Sequence, residues 1–178
     1  MRKKKDKSGF SLLEVIIALF VLSIGITAML SLISNSINNS NEAKDMIAAA
    51  QLAQEGVELV RNKRDNNYIS DSGNVFQDLN EGVCQADAVS GIVCPQTSFD
   101  LNYAVVSGVY SFVHSAGTAT KFSRKIVIEE TSVEERKARS LVFWGGGWSE
   151  PPADDGSDCL NIKKCAYSEA TVTSWGEE

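Results

Sequence analysis

Apolar positions along this chain fall into two regimes. Residues 10–33 are apolar nearly without interruption, and Glu14 is the one formal charge among these 24 positions. As a helix the stretch is roughly 36 Å long, enough to cross a bilayer with some tilt. Residues 34–40 are polar but contain neither Gly nor Pro, so the stretch carries no loop punctuation. Asn39 followed by Glu42 has the spacing of a capping box for a further helical turn. Met46, Ala50, Ala53, Val57 and Val60 then recur at spacings of 4, 3, 4 and 3, which places them on one helical face. The pattern predicts helix to about Arg64, stopping before Asp65-Asn66-Asn67. Unbroken, that helix is roughly 80 Å long. Two helices hinged near residues 34–41 fit the same pattern. Gly25 is a second weak point, since glycine costs about 1 kcal/mol relative to alanine inside a helix.

After residue 64 the period shortens towards two. Residues 71–100 read as loop, with scattered Gly, Asn and Asp. Residues 102–106 and 109–113 are rich in Val, Tyr and Phe and flank Ser107-Gly108, a hairpin signal. Residues 121–130 read as a strand with Phe122, Ile126 and Ile128 on one face, and residues 139–144 as another, joined by the charged stretch 131–137. Gly145-Gly146-Gly147, Pro151-Pro152 and Asp154-Asp155-Gly156 mark a long loop, and residues 170–175 a last strand. The expected fold class is α+β: a long N-terminal helix whose amphipathic half packs on an antiparallel sheet of three to five strands. The organisation follows as a basic leader 1–9, a transmembrane or assembly helix 10–33, its amphipathic continuation 34–64 and an extracytoplasmic globular domain 65–178.

Charge sets the orientation. Arg2, Lys3, Lys4, Lys5 and Lys7 face a single Asp6, and basic residues resist translocation, so the short head stays in the cytoplasm and the remainder crosses. The chain carries −6; without residues 1–9, which hold five basic side chains and one acidic, it carries −10. A chain this acidic argues against nucleic acid as a main partner, although Arg136, Lys137 and Arg139 form a local basic group. Cys84, Cys94, Cys159 and Cys165 all lie on the side expected to leave the cytoplasm, where an even number favours two disulfides. Three pairings are possible, of which the two local ones, Cys84–Cys94 and Cys159–Cys165, are preferred. Neither pair has the tight spacing common in structural zinc sites.

The informative segment is Lys7-Ser8-Gly9-Phe10-Ser11-Leu12-Leu13-Glu14-Val15. A secretory signal places its small residues after the apolar core, so cleavage removes the core. Here Gly9 precedes it. Cleavage after Gly9 removes the basic head and leaves the apolar helix on the mature chain, beginning at the amine of Phe10. Glu14 lies about 6 Å further along the helix axis. An acidic side chain at membrane depth is costly and points to function with a partner. A free α-amine is the natural one, that of Phe10 in the same chain or in an adjacent subunit. Alone, Glu14 reads equally as a residue reaching the interface. With Gly9, Phe10 and the basic head it reads as functional.

This combination resembles the signal of type IV prepilins and of the pseudopilins of type II secretion. The resemblance covers about 25 residues. It implies that a membrane-embedded prepilin peptidase cleaves between Gly9 and Phe10 and methylates the Phe10 amine, with Glu14 as the acidic residue at the fifth mature position. Ser23-Ile24-Gly25-Ile26 and Ala53-Gln54-Glu55-Gly56-Val57-Glu58 are similar to minor pilins of the PilV type, the type IV pilus modification proteins. Many major pilins carry a helix-breaking proline where this chain has Ser31. The implied partners are other pilin or pseudopilin subunits, the prepilin peptidase, an inner-membrane assembly platform and the membrane itself. The implied location is the cytoplasmic membrane before assembly and an extracytoplasmic filament afterwards.

A membrane-anchored enzyme or binding protein is the alternative of a different class. His114 is the only histidine, and H-E-x-x-H, G-x-S-x-G and P-loop sequences are absent. Gly145-Gly146-Gly147 lacks the Lys-Ser/Thr of a phosphate loop. Glu129-Glu130, Glu134-Glu135 and Asp154-Asp155 read as solvated charge. Asp154, Asp155 and Asp158 could hold calcium only weakly, without an EF-hand loop. Trp144, Trp148 and Trp175 read as packing residues before a sugar-binding surface. The expectation is no enzymatic activity, no cofactor and no metal.

Overall fold

The computed structural model describes residues 11–70, 73–114, 117–145, 151–161 and 164–174. The chain divides into two compact units, Met1–Lys44 and Asp45–Glu178. Helix α1 (Leu12–Ile69) is the only element of the first unit among the described residues, and it continues into the second.

The helix differs from its expected form in two places. Asn39 lies inside α1 rather than capping a new turn, since nothing from 34 to 41 interrupts the backbone ladder. The C-terminus lies at Ile69, beyond Arg64, because the asparagines that read as turn residues are used otherwise. Asn66 donates to Asn62 Oδ1 at 2.8 Å, and Asn67, buried, donates to the carbonyls of Val75 and Gln77 at 3.0 and 2.7 Å. The following loop is thereby tied to the last turn.

In the second unit the helix lies on a seven-stranded, wholly antiparallel sheet. The strands are β1 (Gly82–Asp87), β2 (Gly91–Val93), β3 (Asp100–Val106), β4 (Val109–Val113), β5 (Thr118–Ser132), β6 (Glu135–Trp144) and β7 (Cys165–Thr173). The architecture is α+β and pilin-like, but the strand count exceeds the expected three to five. β1 and β2 arise in the stretch that read as loop. Both are short, and β1 carries Gly82, Gln85, Ala86 and Asp87, residues of low strand propensity, so pairing and not composition makes them strands: β1 pairs with β5 and β2 with β1. β5 is the spine. One edge pairs with β6, and the other pairs with β3 near its start and β1 near its end. Ser107 and Gly108 both have positive φ (52° and 83°), the two-residue turn that suits the twist of the β3–β4 hairpin. The charged stretch 131–137 is mostly strand, and Ser132 pairs with Glu135 across a two-residue turn.

The helical face that meets the sheet is Ala49, Leu52, Ala53, Gly56, Val57, Val60, Arg64 and Asn67. Ala53, Val57 and Val60 were expected there. Met46, at 55% exposure, and Ala50 are not. The buried face instead takes in Ala49, Leu52 and Gly56, and Gly56 lets the helix backbone approach the sheet closely. Two apolar clusters fill this layer. Val60, Phe76, Leu79, Cys84, Ala86, Ile126, Ile128, Ala138 and Val172 form one; Ala49, Leu52, Ala53, Leu101, Phe122, Val142 and Trp144 form the other. Arg124 on β5 and Ser140 on β6 stand between them. On the opposite face, the loop at 151–156 and the short helix α2 (Ser157–Asn161) lie over β5–β7. There Lys125 donates to the Pro152 carbonyl and pairs with Asp154 at 2.7 Å, and Tyr167 faces Gly156.

Candidate functional site

Gly9 and Phe10 lie outside the described residues, which begin at Ser11. The Ser11 carbonyl accepts from the backbone N–H of Glu14 at 3.0 Å and of Val15 at 3.3 Å. Glu14 therefore sits in the first turn of α1, where the helix dipole favours a negative charge. Every residue from Ser11 to Lys44 is exposed, Leu12 at 78%, so none of these described residues is buried within the chain. Glu14, Val15, Ala18, Leu19 and Leu22 line a shallow groove on that surface. Ala18, one turn after Glu14, is the small residue in it.

Polar groups within the apolar stretch satisfy themselves. Ser23 Oγ donates to the Phe20 carbonyl at 2.7 Å and Thr27 Oγ1 to the Ser23 carbonyl at 2.8 Å. Such bonds to the helix's own backbone let hydroxyls enter lipid or a helical bundle without an unmet partner. A Cβ at Gly25 would meet nothing within 4 Å, so no packing inside the chain requires glycine there. Among the described residues α1 is the one helix long and apolar enough to cross a membrane, a property that a signal segment shares.

The structure bridges Cys84 to Cys94 and Cys159 to Cys165, and no cysteine is free. The first bridge links β1, where Cys84 is fully buried, to the residue after β2. The second joins α2 to the start of β7 and so anchors the loop over the outer face of the sheet.

The residues considered for other chemistry are not gathered into a site. His114 is buried; its N–H donates to Asp87 Oδ2 at 3.1 Å, and Nδ1 lies 3.0 Å from the Asp100 carbonyl. Burial, and then the Arg124 charge, hold its pKa below the usual imidazole value. Burial pushes the Asp87 carboxyl up, but backbone N–H groups of Ser90, His114 and Val89 outweigh this and leave it below the ordinary carboxylate value. Asp154 pairs with Lys125, Asp155 accepts from Ser157 N–H and Asp158 from Ala153 N–H. Among the described residues no three His, Cys, Asp or Glu side chains are placed to hold a metal. Trp144 is buried against Phe122; Trp148 and Trp175 lie outside the described residues. The local basic group is neutralised. Arg139 is bidentate to Glu129 and also bonds Glu169, Lys137 pairs with Glu169 at 2.9 Å, and Arg136 pairs with Glu130 at 3.3 Å.

Sequence reasoning missed Arg124. It is fully buried under the helix, donates to the carbonyls of Leu52 and Ala86, and lies 3.7 Å from Glu55 Oε1. The signal was present: in a strand, residue 124 shares the face of Phe122 and Ile126.

Comparison with known proteins places one match on this geometry. Residues 4–30 match the family profile described as the prokaryotic N-terminal methylation motif. The matched span contains Gly9, Phe10 and Glu14. No curated protein and no solved structure matches the chain. A prepilin-type signal, a single apolar N-terminal helix and a pilin-like α+β fold together describe a pilin- or pseudopilin-like structural subunit with an N-terminal processing signal.

Proposed function

We propose that this chain is a minor pilin-like subunit of a type IV pilus or related filament, cleaved between Gly9 and Phe10, methylated on the Phe10 amine and assembled through its N-terminal helix. The observation that carries the reading is Glu14: one carboxylate in the first turn of a helix whose residues 12–33 are otherwise uncharged and exposed. The amine that cleavage would free on Phe10, in the same chain or a neighbour, is the natural cation to pair with it. In a packed array that pairing fixes axial register, because helices docked out of step leave a charge unpaired in an apolar setting. Head-to-tail packing of such subunits gives an open helical filament when the rotation does not close. The helix then exchanges lipid for other helices without meeting water.

Ser31, where many major pilins have proline, together with the PilV-like sequence around Gly25 and Gly56, supports a minor or modifying subunit over the bulk component. Retention of Glu14 supports a position below the extreme tip, with related pilins as neighbours. Two measurements test the reading. Mass spectrometry of the mature N-terminus is expected to find methylated Phe10; a chain that starts beyond residue 33 ends the proposal. Quantification in sheared filaments is expected to find a few per cent of total subunit or less, and a dominant band overturns the minor role.

A further inference from the structure

The sheet has three free edges among the described residues, β2, β4 and β7, and two are protected. β2 is three residues long, and β7 carries Glu169 in ion pairs with Lys137 and Arg139. Short strands and charge are the usual defences of an edge against pairing with another chain. β4 has neither. From Leu101 to Val113 no side chain is charged and none is proline. β4 pairs with β3 without a bulge, and Tyr110 and Val109 are 67% and 64% exposed.

We propose that β4 pairs antiparallel with β4 of a second copy of this chain. Backbone parity defines which groups are available. Val106 and Val109 close the two-residue turn, so the odd residues of β4 bond towards β3 and the even ones point outward. The N–H of His114 points outward and is taken by Asp87, which leaves Tyr110 and Phe112 as the open positions. The sequence Val109-Tyr110-Ser111-Phe112-Val113 is nearly a palindrome about Ser111. In an antiparallel pair centred there, Tyr110 of each copy exchanges both backbone bonds with Phe112 of the other. Ser111 faces Ser111, and Val109 faces Val113. The partner's strand ends at its own turn, where Asp87 closes the edge.

Side chains agree with that register. Tyr103 stacks on Tyr110 at 5.1 Å and leans on Phe112 at 5.5 Å, all on one face. The pairing extends this cluster across the dyad, where Tyr110 of one copy lies beside Phe112 of the other. A twofold contact needs such self-complementarity. Charge selects the same place, since two acidic copies meet at least cost where neither carries charge. The pairing itself does not depend on the filament reading. Given that reading, the dyad is normal to the sheet and turns the helical segments 45–69 antiparallel, so the contact joins subunits of two filaments rather than neighbours in one.

Cysteine cross-linking of the full chain in detergent tests this, because the native cysteines are all bridged. The two Ser111 residues would form a non-hydrogen-bonded pair with Cα atoms about 4.5 Å apart, within disulfide range. Ser111→Cys is expected to form a covalent dimer under mild oxidant. Val109→Cys, whose copies lie about 13 Å apart in this register, is not. Thr171→Cys on β7 is the control. Adding the exposed substitution Tyr110→Lys to Ser111→Cys is expected to abolish the dimer, with the fold checked by circular dichroism. Failure of Ser111→Cys to link, or equal linking by Val109→Cys or Thr171→Cys, overturns the proposal. Either result is independent of whether the N-terminus is processed.

Discussion

A Cβ placed on Gly56 would lie 2.2 Å from Oγ of Ser140 and 2.9 Å from its Cβ. Helix α1 therefore rests its backbone directly on β6, midway between the two apolar clusters. Alanine at 56 gains about 1 kcal/mol of helix propensity. It must also push the helix off Ser140 and Ile126, and overpacking of this kind costs typically about 1–3 kcal/mol, occasionally more. Gly56→Ala is expected to lower the thermal midpoint of the oxidised protein. Gly25→Ala, where nothing crowds the added carbon, is expected not to. Equal behaviour of the two variants would remove the close-approach argument.

Arg124 is fully buried, and Glu55 is its nearest carboxylate among the described residues. Glu55→Gln keeps the shape but leaves the guanidinium dependent on carbonyls and the more distant Asp87. A loss of about 1–3 kcal/mol is expected. Glu58→Gln removes only an exposed pair with Arg61, at most about 1 kcal/mol. Chemical denaturation of the two variants side by side measures the contrast; equal losses would assign Glu55 no special role.

How legible these features were follows from the physics that makes them. The apolar stretch and the helix after it were readable because they rest on composition and a local period. The β3–β4 hairpin was readable because Ser107-Gly108 supplies the positive φ values that its turn needs. β1 and β2 were not, since only pairing, of β1 with β5 and of β2 with β1, makes strands of such residues. The helical phase was misjudged at Met46 and Ala50 because periodicity of apolar residues does not count a glycine, whereas the sheet packs directly on Gly56 and so turns Ala49 and Leu52 inward. Arg124 was overlooked because a charged residue is read as solvated, although its strand parity put it in the core. Gly9, Phe10 and Glu14 were conspicuous in the sequence for a different reason: they break the pattern of an ordinary signal or anchor.

Stability is expected to decline as pH falls from about 6.5 towards 5, and His114 is the cause. Its folded-state pKa is depressed, so the unfolded chain binds a proton before the folded chain does. Above the unfolded value neither state is protonated and the effect vanishes. Asp87, Asp155 and Glu169 also have depressed values. As carboxylates they begin to act only near and below their unfolded values, at about pH 4. The window from 6.5 to 5 thus isolates the histidine. Unfolding free energy measured at intervals across it should slope for the native chain and lie flat for His114→Gln. A slope that survives the substitution would place the titrating group elsewhere.

Glu14→Val is expected to leave membrane insertion intact and impair entry into the filament. The two environments treat the carboxylate oppositely. In lipid it is a liability, reduced by its place in the first turn, where it can reach the interface and the dipole favours it. Valine removes that liability, so the membrane-bound pool should be undiminished. In a bundle of such helices the proposed reading pairs the carboxylate with an amine of Phe10, and valine would leave that cation unpaired among apolar side chains. Truncating one partner of a buried charge pair typically costs about 3–5 kcal/mol, several hundred-fold or more in an assembly equilibrium. Glu14→Gln separates charge from hydrogen bonding: if register depends on the ion pair it should fail nearly as badly, whereas a steric role would let it assemble. Immunoblots of membrane and sheared-filament fractions, with protein levels matched, give both quantities at once. Normal incorporation of the valine variant would reduce Glu14 to a tolerated interfacial residue and take away the observation on which the filament reading rests.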